Sequence, residues 1–325
     1  MPDVICLRPK ADFTAIGITP PETLDIAYMT PDAAGLATAM KGARALVIPA
    51  VGPAVASDLF RGTALKLVQV TGAGLDRVDQ ATLKAEGIAL ANVPGGSNAA
   101  LGEYVVGNAI ALSRGFSAAT QQILSGNYAD HRKAMVSASL RGLGGLTVGL
   151  VGMGAIGLSV AQRCRDMGAD IVYYDPAPPR DKSALNQLGA QAMDLDALLA
   201  HADIVTLHVP LIPATRNLIG ADRLALMKRD AILINAARGG IVDEAALAAA
   251  LERGHLLGAA VDVYSTEPPT PDNPLLTLSA AAARRIILTP HIAGVSRQSF
   301  QHLFAEAWAN VTRVLIDAQP PRHTA

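Results

Sequence analysis

The chain has 325 residues, with 27 Lys and Arg against 28 Asp and Glu and a formal net charge of −1. That near-balance excludes the dense positive surface that nucleic-acid or membrane-surface binding requires, so neither partner is expected. Half of the residues are hydrophobic, 17% are charged and 4% are aromatic, which excludes disorder and points to α/β layers with cores of Ala, Val, Ile and Leu.

In chain order, Met1-Pro2-Asp3-Val4 lacks a basic n-region, so no signal peptide and a cytoplasmic location are expected. The apolar runs 4–7, 45–48, 67–70 and 88–90 read as buried strands. A short helix over 79–86 stops at Gly87, which completes a strand–helix alternation and hence a small parallel sheet. One long helix is predicted over 102–124, followed by a linker at 127–141 that carries His131, Arg132 and Lys133. Next come a strand at 147–151, a tight turn at 152–157 and a helix at 158–167. Further strands are expected at 171–174, 204–207, 231–234, 258–261 and 286–288, with Asp243 capping a helix that Gly254 closes. A last helix runs over 298–316, so the second half reads as a doubly wound sheet of about six strands. The stretch 142–162 is uncharged, yet its seven glycines suit a strand–turn–helix rather than a membrane span. Cys6 and Cys164 form no CxxC, so neither a disulfide framework nor a metal site is expected.

The turn Gly152-Met153-Gly154-Ala155-Ile156-Gly157 fits G-x-G-x-x-G between a strand and a helix. The first glycine makes the turn, the second lets backbone approach a pyrophosphate, and the third packs helix on strand. Asp175 follows twenty-three residues after Gly152, near the spacing of a ribose-binding acid, and it repels a 2′-phosphate. NAD is therefore expected over NADP; the nearest following base, Arg180, lies beyond three prolines. A glycine-rich turn beside a solvated acid is the plain alternative.

Several polar or unusual residues fall just after apolar runs: Asp175, Pro210, Arg238, Asp262 and His291. In an open α/β sheet these positions share the edge where ligands bind. The planar fork of Arg238 suits a carboxylate, and two glycines beside it leave room for a ligand. His291 follows a proline at a strand end, and Glu267 on the loop after another strand is its candidate partner, fixing the tautomer of a general acid/base. The other histidines read as structural, with His208 shaping a strand end.

These residues, with HVPLIPATRNLI (208–219), INAARGGIVDEAAL (234–247), AVDVYSTEPP (260–269), TPHIAG (289–294) and VTGAGLD (70–76), strongly resemble the D-isomer-specific 2-hydroxyacid dehydrogenases over nearly the whole chain. The resemblance implies a doubly wound Rossmann cofactor domain inserted in a smaller flavodoxin-like α/β catalytic domain. The expected boundaries are 99–290 for the NAD-binding domain and 1–98 plus 291–325 for the substrate-binding domain. It further implies NAD-dependent hydride transfer between a 2-oxo acid and its D-2-hydroxy acid. His291 would exchange the proton, supported by Glu267. Arg238 would bind the substrate carboxylate and carbonyl, with backbone N–H groups at Ala73 and Gly74. Cofactor contacts are implied at Gly152, Gly154, Ala155, Ile156, Gly157, Asp175, Val209, Pro210, Thr215, Ala236, Asp262 (the nicotinamide carboxamide) and Gly294. A homodimer through the 102–124 helix is implied as well.

Three departures bear on the substrate. Ala155 stands where arginine is frequent in relatives, Arg77 follows Asp76 where asparagine is commoner, and the loop 49–53 lacks the cation usual in enzymes of phosphorylated acids. A small unphosphorylated acid such as glyoxylate, hydroxypyruvate or pyruvate is therefore favoured, with D-3-phosphoglycerate as the alternative. A non-enzymatic NAD-sensing corepressor is the rival of another class. Glu267 disfavours a formate enzyme, and Gly72-Ala73-Gly74, without a lysine, disfavours a phosphite enzyme.

Overall fold

The chain divides into two compact units, Met1–Ser97 with the segment from Val295 onward, and Asn98–Gly294. The computed structural model describes residues 1–179 and 181–324, so Arg180 lies outside the described residues.

In the first unit, β1 (Val4–Cys6), β2 (Ile26–Tyr28), β3 (Ala45–Ile48), β4 (Leu67–Val70) and β5 (Ala89–Ala91) form one parallel sheet in the order β2-β1-β3-β4-β5. This is the flavodoxin-type order. Four of the strands were expected from buried apolar runs. β2 was not, because a three-residue, half-buried edge strand carries too little apolar pattern to stand out. The helix Arg297–Leu315 buries Leu303, Phe304, Ala307, Trp308, Val311 and Leu315 at helical spacing. Phe304 and Trp308 pack against Phe13 at ring separations of 4.7 and 5.4 Å, so the end of the chain completes the core begun by its start. An antiparallel bridge from Ala91 to Thr324 covers part of the free side of β5.

The second unit holds β6 (Thr147–Val151), β7 (Asp170–Tyr174), β8 (Gln191–Ala192), β9 (Ile204–Leu207), β10 (Ile232–Asn235), β11 (Gly258–Val261) and β12 (Ile286–Leu288). All pairs are parallel, in the order β12-β11-β10-β9-β6-β7-β8. Numbered from β6, this is the doubly wound order 3-2-1-4-5-6 with one strand added. β9, β10 and β11 are buried throughout because helices cover both faces, which is why they read as unbroken apolar runs. The edge strand β8 has two exposed residues and left no signal in the sequence. The order reverses between β6 and β9, so the chain diverges there and opens a crevice at the carboxyl ends.

Two helical expectations are corrected. The helix expected over 102–124 is two, Asn98–Arg114 and Phe116–Leu124, broken at Gly115. Gly115 sits at φ +59°, a left-handed conformation that glycine adopts without a Cβ clash. The expected linker at 127–141 contains a helix, Tyr128–Ser137, none of whose residues is buried. Without a buried stripe it showed no apolar periodicity. The glycine-rich stretch 142–162 is strand, turn and helix, and among the described residues no helix is long and apolar enough to cross a membrane.

Candidate active site

The glycine turn leaves β6 at Gly152, whose φ of +99° and tight fit both require glycine. A Cβ there would lie 2.6 Å from the His208 carbonyl oxygen. The helix Ala155–Asp166 then starts three residues earlier than expected, inside the motif, because Gly154 serves as its N-cap. Gly154 offers no capping side chain, so the first-turn N–H groups of Ala155, Ile156 and Gly157 receive no side-chain cap and could hold an anionic group. A Cβ on Gly154 would meet nothing within 4 Å, which marks open space above the turn. One on Gly157 would land on the Gly152 carbonyl, so only glycine lets the helix pack this close. Asp175, at the end of β7, accepts the Met153 N–H at 2.7 Å and the Ala177 N–H at 2.9 Å. Its carboxylate is thereby fixed beside the turn, with lone pairs left for ribose hydroxyls. These features fit a dinucleotide.

Adjacent strands β10, β11 and β12 deliver Arg238, Glu267 and His291 to one edge of the sheet. Asn235, buried at the end of β10, shapes the first loop. Its Oδ1 accepts the Ala237 N–H, and its Nδ2 donates to the Arg238 carbonyl. Arg238 Nη1 donates to the Ala237 carbonyl at 2.7 Å. A Cβ on Gly239 would collide with the Tyr264 carbonyl, so glycine lets the arginine loop touch the loop that carries Glu267. Glu267 receives the Tyr264 N–H on Oε1 and faces His291 Nδ1 with Oε2 at 2.8 Å. Because an ionised carboxylate only accepts, Nδ1 carries a proton and Nε2 is the nitrogen left to exchange one. The two side chains are 24% and 30% exposed, open enough to meet a substrate. Glu244, in the first turn of Glu244–Glu252, anchors the Glu267 loop by accepting the Ser265 N–H and hydroxyl and the Asn273 amide.

Asp262 follows β11 and is 1% exposed. Its carboxylate accepts N–H bonds from Ile292 at 2.8 Å and Ala293 at 2.7 Å, and its carbonyl accepts the His291 N–H. Val209 and Pro210 follow β9, with Val209 beside Gly152. The Thr215 hydroxyl donates to the Pro210 carbonyl and accepts the Ile212 N–H, so it ties that loop together. Ala236 is half-buried after β10, and Gly294 ends the unit. Ala73 and Gly74 belong to the first unit, in the loop after β4. Asn235, Glu244 and Tyr264 escaped the sequence reading. Only Asn235 left a trace there, as a polar residue closing the apolar run ILIN.

His208, at the end of β9, contacts the Thr206 hydroxyl through Nε2 at 3.0 Å. Burial pushes its imidazole down from 6.5 to about 4. The unfolded chain therefore takes up a proton that the folded chain refuses. Stability from this source is intact above about pH 6.5 and declines as pH falls toward 4, by at most ~3 kcal/mol. His208→Gln should shrink the acid-side loss, read as the shift in urea midpoint between about pH 7 and about pH 4.5. An unchanged shift would remove His208 as its source.

Residues 106–293 match the family described as D-isomer specific 2-hydroxyacid dehydrogenase, NAD binding domain. The chain is 38% identical over 235 residues to a D-3-phosphoglycerate dehydrogenase of Archaeoglobus fulgidus, covering 72% of this chain and 42% of that relative. It thus spans less than half of the archaeal protein's length. It is also 38% identical to the (S)-sulfolactate dehydrogenase of Chromohalobacter salexigens, covering 89% of this chain and 90% of the relative. Among solved structures, the D-lactate dehydrogenase of Aquifex aeolicus complexed with NAD and lactic acid superposes with a TM-score of 0.82 at 25% identity, covering 97% of this chain and 95% of that one.

Proposed function

Given that the chain belongs to the D-isomer-specific 2-hydroxyacid dehydrogenases, with residues 106–293 forming the family's NAD-binding domain, we propose that it interconverts a small 2-oxo acid and its D-2-hydroxy acid. The observation that carries this reading is the His291–Glu267 pair at 2.8 Å, on the sheet edge that also presents Arg238. When bound, NADH supplies the hydride. His291 Nε2 gives its proton to the carbonyl oxygen during reduction and takes it back during oxidation. Glu267 holds the opposite face of the ring, so the imidazole neither flips nor changes tautomer. Arg238 binds the substrate carboxylate and offsets the negative charge growing on the carbonyl oxygen. Backbone N–H groups at Ala73 and Gly74 are assigned to that carboxylate on the family resemblance alone. The same resemblance assigns substrate binding to 1–98 plus 291–325 and NAD binding to 99–290.

A small, unphosphorylated acid remains the favoured substrate. The loop 49–53 carries no cation. Arg77, 4% exposed in the same unit, gives Nε to the Pro53 carbonyl and Nη1 to the Pro49 carbonyl, so it acts as a brace for that loop. The test is NADH oxidation with glyoxylate, hydroxypyruvate, pyruvate and 3-phosphohydroxypyruvate. Turnover of one of the first three supports the reading, and preference for the phosphorylated acid moves it to the D-3-phosphoglycerate alternative. NADH binding with every acid inert favours the corepressor-like alternative. A cytoplasmic location, where NADH is supplied, accompanies the enzymatic reading and is checked by fractionation.

Asp175 supports NAD over NADP because a 2′-phosphate would sit against its carboxylate. Asp175→Ala is expected to lower kcat/KM with NADH while making NADPH usable, a shift in preference of ~10-fold or more from removal of that like-charge contact. A wild-type enzyme preferring NADPH would overturn the assignment.

A homodimer is supported by the helices Phe116–Leu124 and Tyr128–Ser137, which bury none of their own residues. Phe116, Leu124, Tyr128 and Val136 are all more than half exposed there, an apolar surface that a second copy would cover. Sedimentation equilibrium of the purified chain decides this, since a monomer at micromolar concentration would exclude it.

A further inference from the structure

We infer that Tyr104 and Thr289 are positioning residues for His291, acting through Asp262. The family resemblance implies one task for Asp262, holding the nicotinamide carboxamide. In the structure its carboxylate is wrapped by the turn that bears the histidine. Besides the N–H bonds from Ile292 and Ala293, it receives the Thr289 hydroxyl on Oδ1 at 2.6 Å. The His291 N–H goes to the Asp262 carbonyl at 2.8 Å, so the segment 289–293 is tied to one residue at four points.

That turn needs holding. His291 sits at φ +56°, a left-handed conformation that non-glycine residues adopt at a cost of about 1 kcal/mol or more. A catalytic side chain in such a conformation keeps its aim only if the surroundings over-determine it. Asp262 provides the hub, and Thr289 and Tyr104 in turn orient Asp262.

Proton counting gives the chain a direction. Thr289 has one hydroxyl proton, and the carboxylate can only accept, so that proton goes to Asp262. The Tyr104 phenol lies 2.7 Å from the same Thr289 oxygen and must therefore be the donor to it. Burial pushes the Tyr104 phenol up to about 12, so it keeps its proton across the working range. Tyr104 stands on the helix Asn98–Arg114, which packs on this unit's own sheet, so the relay links the histidine turn to a rigid element. From the other side, the Tyr264 hydroxyl donates to the Thr289 carbonyl, and the Tyr264 N–H holds Glu267. Thr289 is thus bonded directly to Asp262 and, through Tyr264, linked to Glu267.

The inference rests on the reading of His291 as the proton donor, and the experiment separates the two. Thr289→Val, Thr289→Ser, Tyr104→Phe and His291→Asn are compared in the full-length chain, using the best 2-oxo acid of the panel and direct titration with NADH. Thr289→Val is expected to lower kcat about 10- to 100-fold, the scale of a small misplacement of a reacting group, with the Kd for NADH unchanged. Thr289→Ser restores most of the loss, and Tyr104→Phe shows a smaller loss of the same kind. Combined with His291→Asn, Thr289→Val should add nothing, since the group it aims has gone. The inference is overturned if Thr289→Val leaves kcat unchanged while His291→Asn abolishes it, or if NADH affinity falls in step with kcat. Full activity in His291→Asn removes the proton-donor reading itself. Should Thr289→Val fail to fold, Tyr104→Phe carries the test with the same two readouts.

Discussion

Replacing His291 with Asn is expected to lower kcat for 2-oxo acid reduction about 10³-fold, the middle of the range for loss of a general acid, while NADH still binds. Asn is the informative substitution for two reasons. Its amide can still donate to Glu267 Oε2, which His291 Nδ1 meets at 2.8 Å, so that carboxylate keeps a partner. Asn also tolerates the left-handed backbone at φ +56° better than most residues, so the turn survives and only the exchangeable proton is lost. His291→Ala adds the strain of that backbone to the chemical loss and should be less stable as well as inactive. Steady-state turnover beside fluorescence titration of NADH makes the measurement. Unchanged kcat in the Asn variant would remove His291 from the mechanism.

The second large effect is expected at Arg238. Arg238→Lys keeps a positive charge but loses the planar fork that grips a carboxylate bidentately. It also loses the Nη1 bond to the Ala237 carbonyl that sets the side chain's direction. A fall in kcat/KM of about 10²- to 10³-fold is expected, comparable with removing one donor to a developing oxyanion. The loss should be divided between a raised KM for the 2-oxo acid, because the carboxylate is bound equally in the ground and transition states, and a lowered kcat, because the growing oxyanion loses a fitted donor. The Kd for NADH should not move. An unchanged KM would assign the substrate carboxylate to another residue.

Much of the second unit was legible in the linear chain because its strands are buried on both faces. Runs such as ILIN and GAAV announce themselves without alternation, and the residues just past them could be read as one sheet edge. Arg238 and His291 became candidates this way, and Glu267 as a carboxylate on the loop after another strand that could partner the histidine. The glycine turn was legible too, although its helix starts inside the motif, since Gly154 caps what looked like turn. Edge strands β2 and β8 were not, because three half-buried and two exposed residues carry no periodic signal. Nor was the break at Gly115, where an apolar pattern runs on while a left-handed glycine turns the chain. The helix Tyr128–Ser137 escaped for the opposite reason: it buries nothing, so no stripe marks it.

The division between the two levels follows the range of the forces involved. Backbone preference, apolar periodicity and the steric needs of glycine act over a few residues, and they suffice to determine the strands, the dinucleotide turn and the types of side chain at the strand ends. What aims those side chains acts across long stretches of chain. Glu244 holds the Glu267 loop from 21 residues away, and Tyr104 reaches Thr289 across 185. Such hydrogen bonds form only after hydrophobic burial has stacked helix on sheet and removed competing water, so their partners share no local pattern. The sequence by itself therefore determined which groups could do the chemistry. Only the tertiary structure decided that Asp262 lies within the turn of His291, and that a tyrosine and a threonine hold it there.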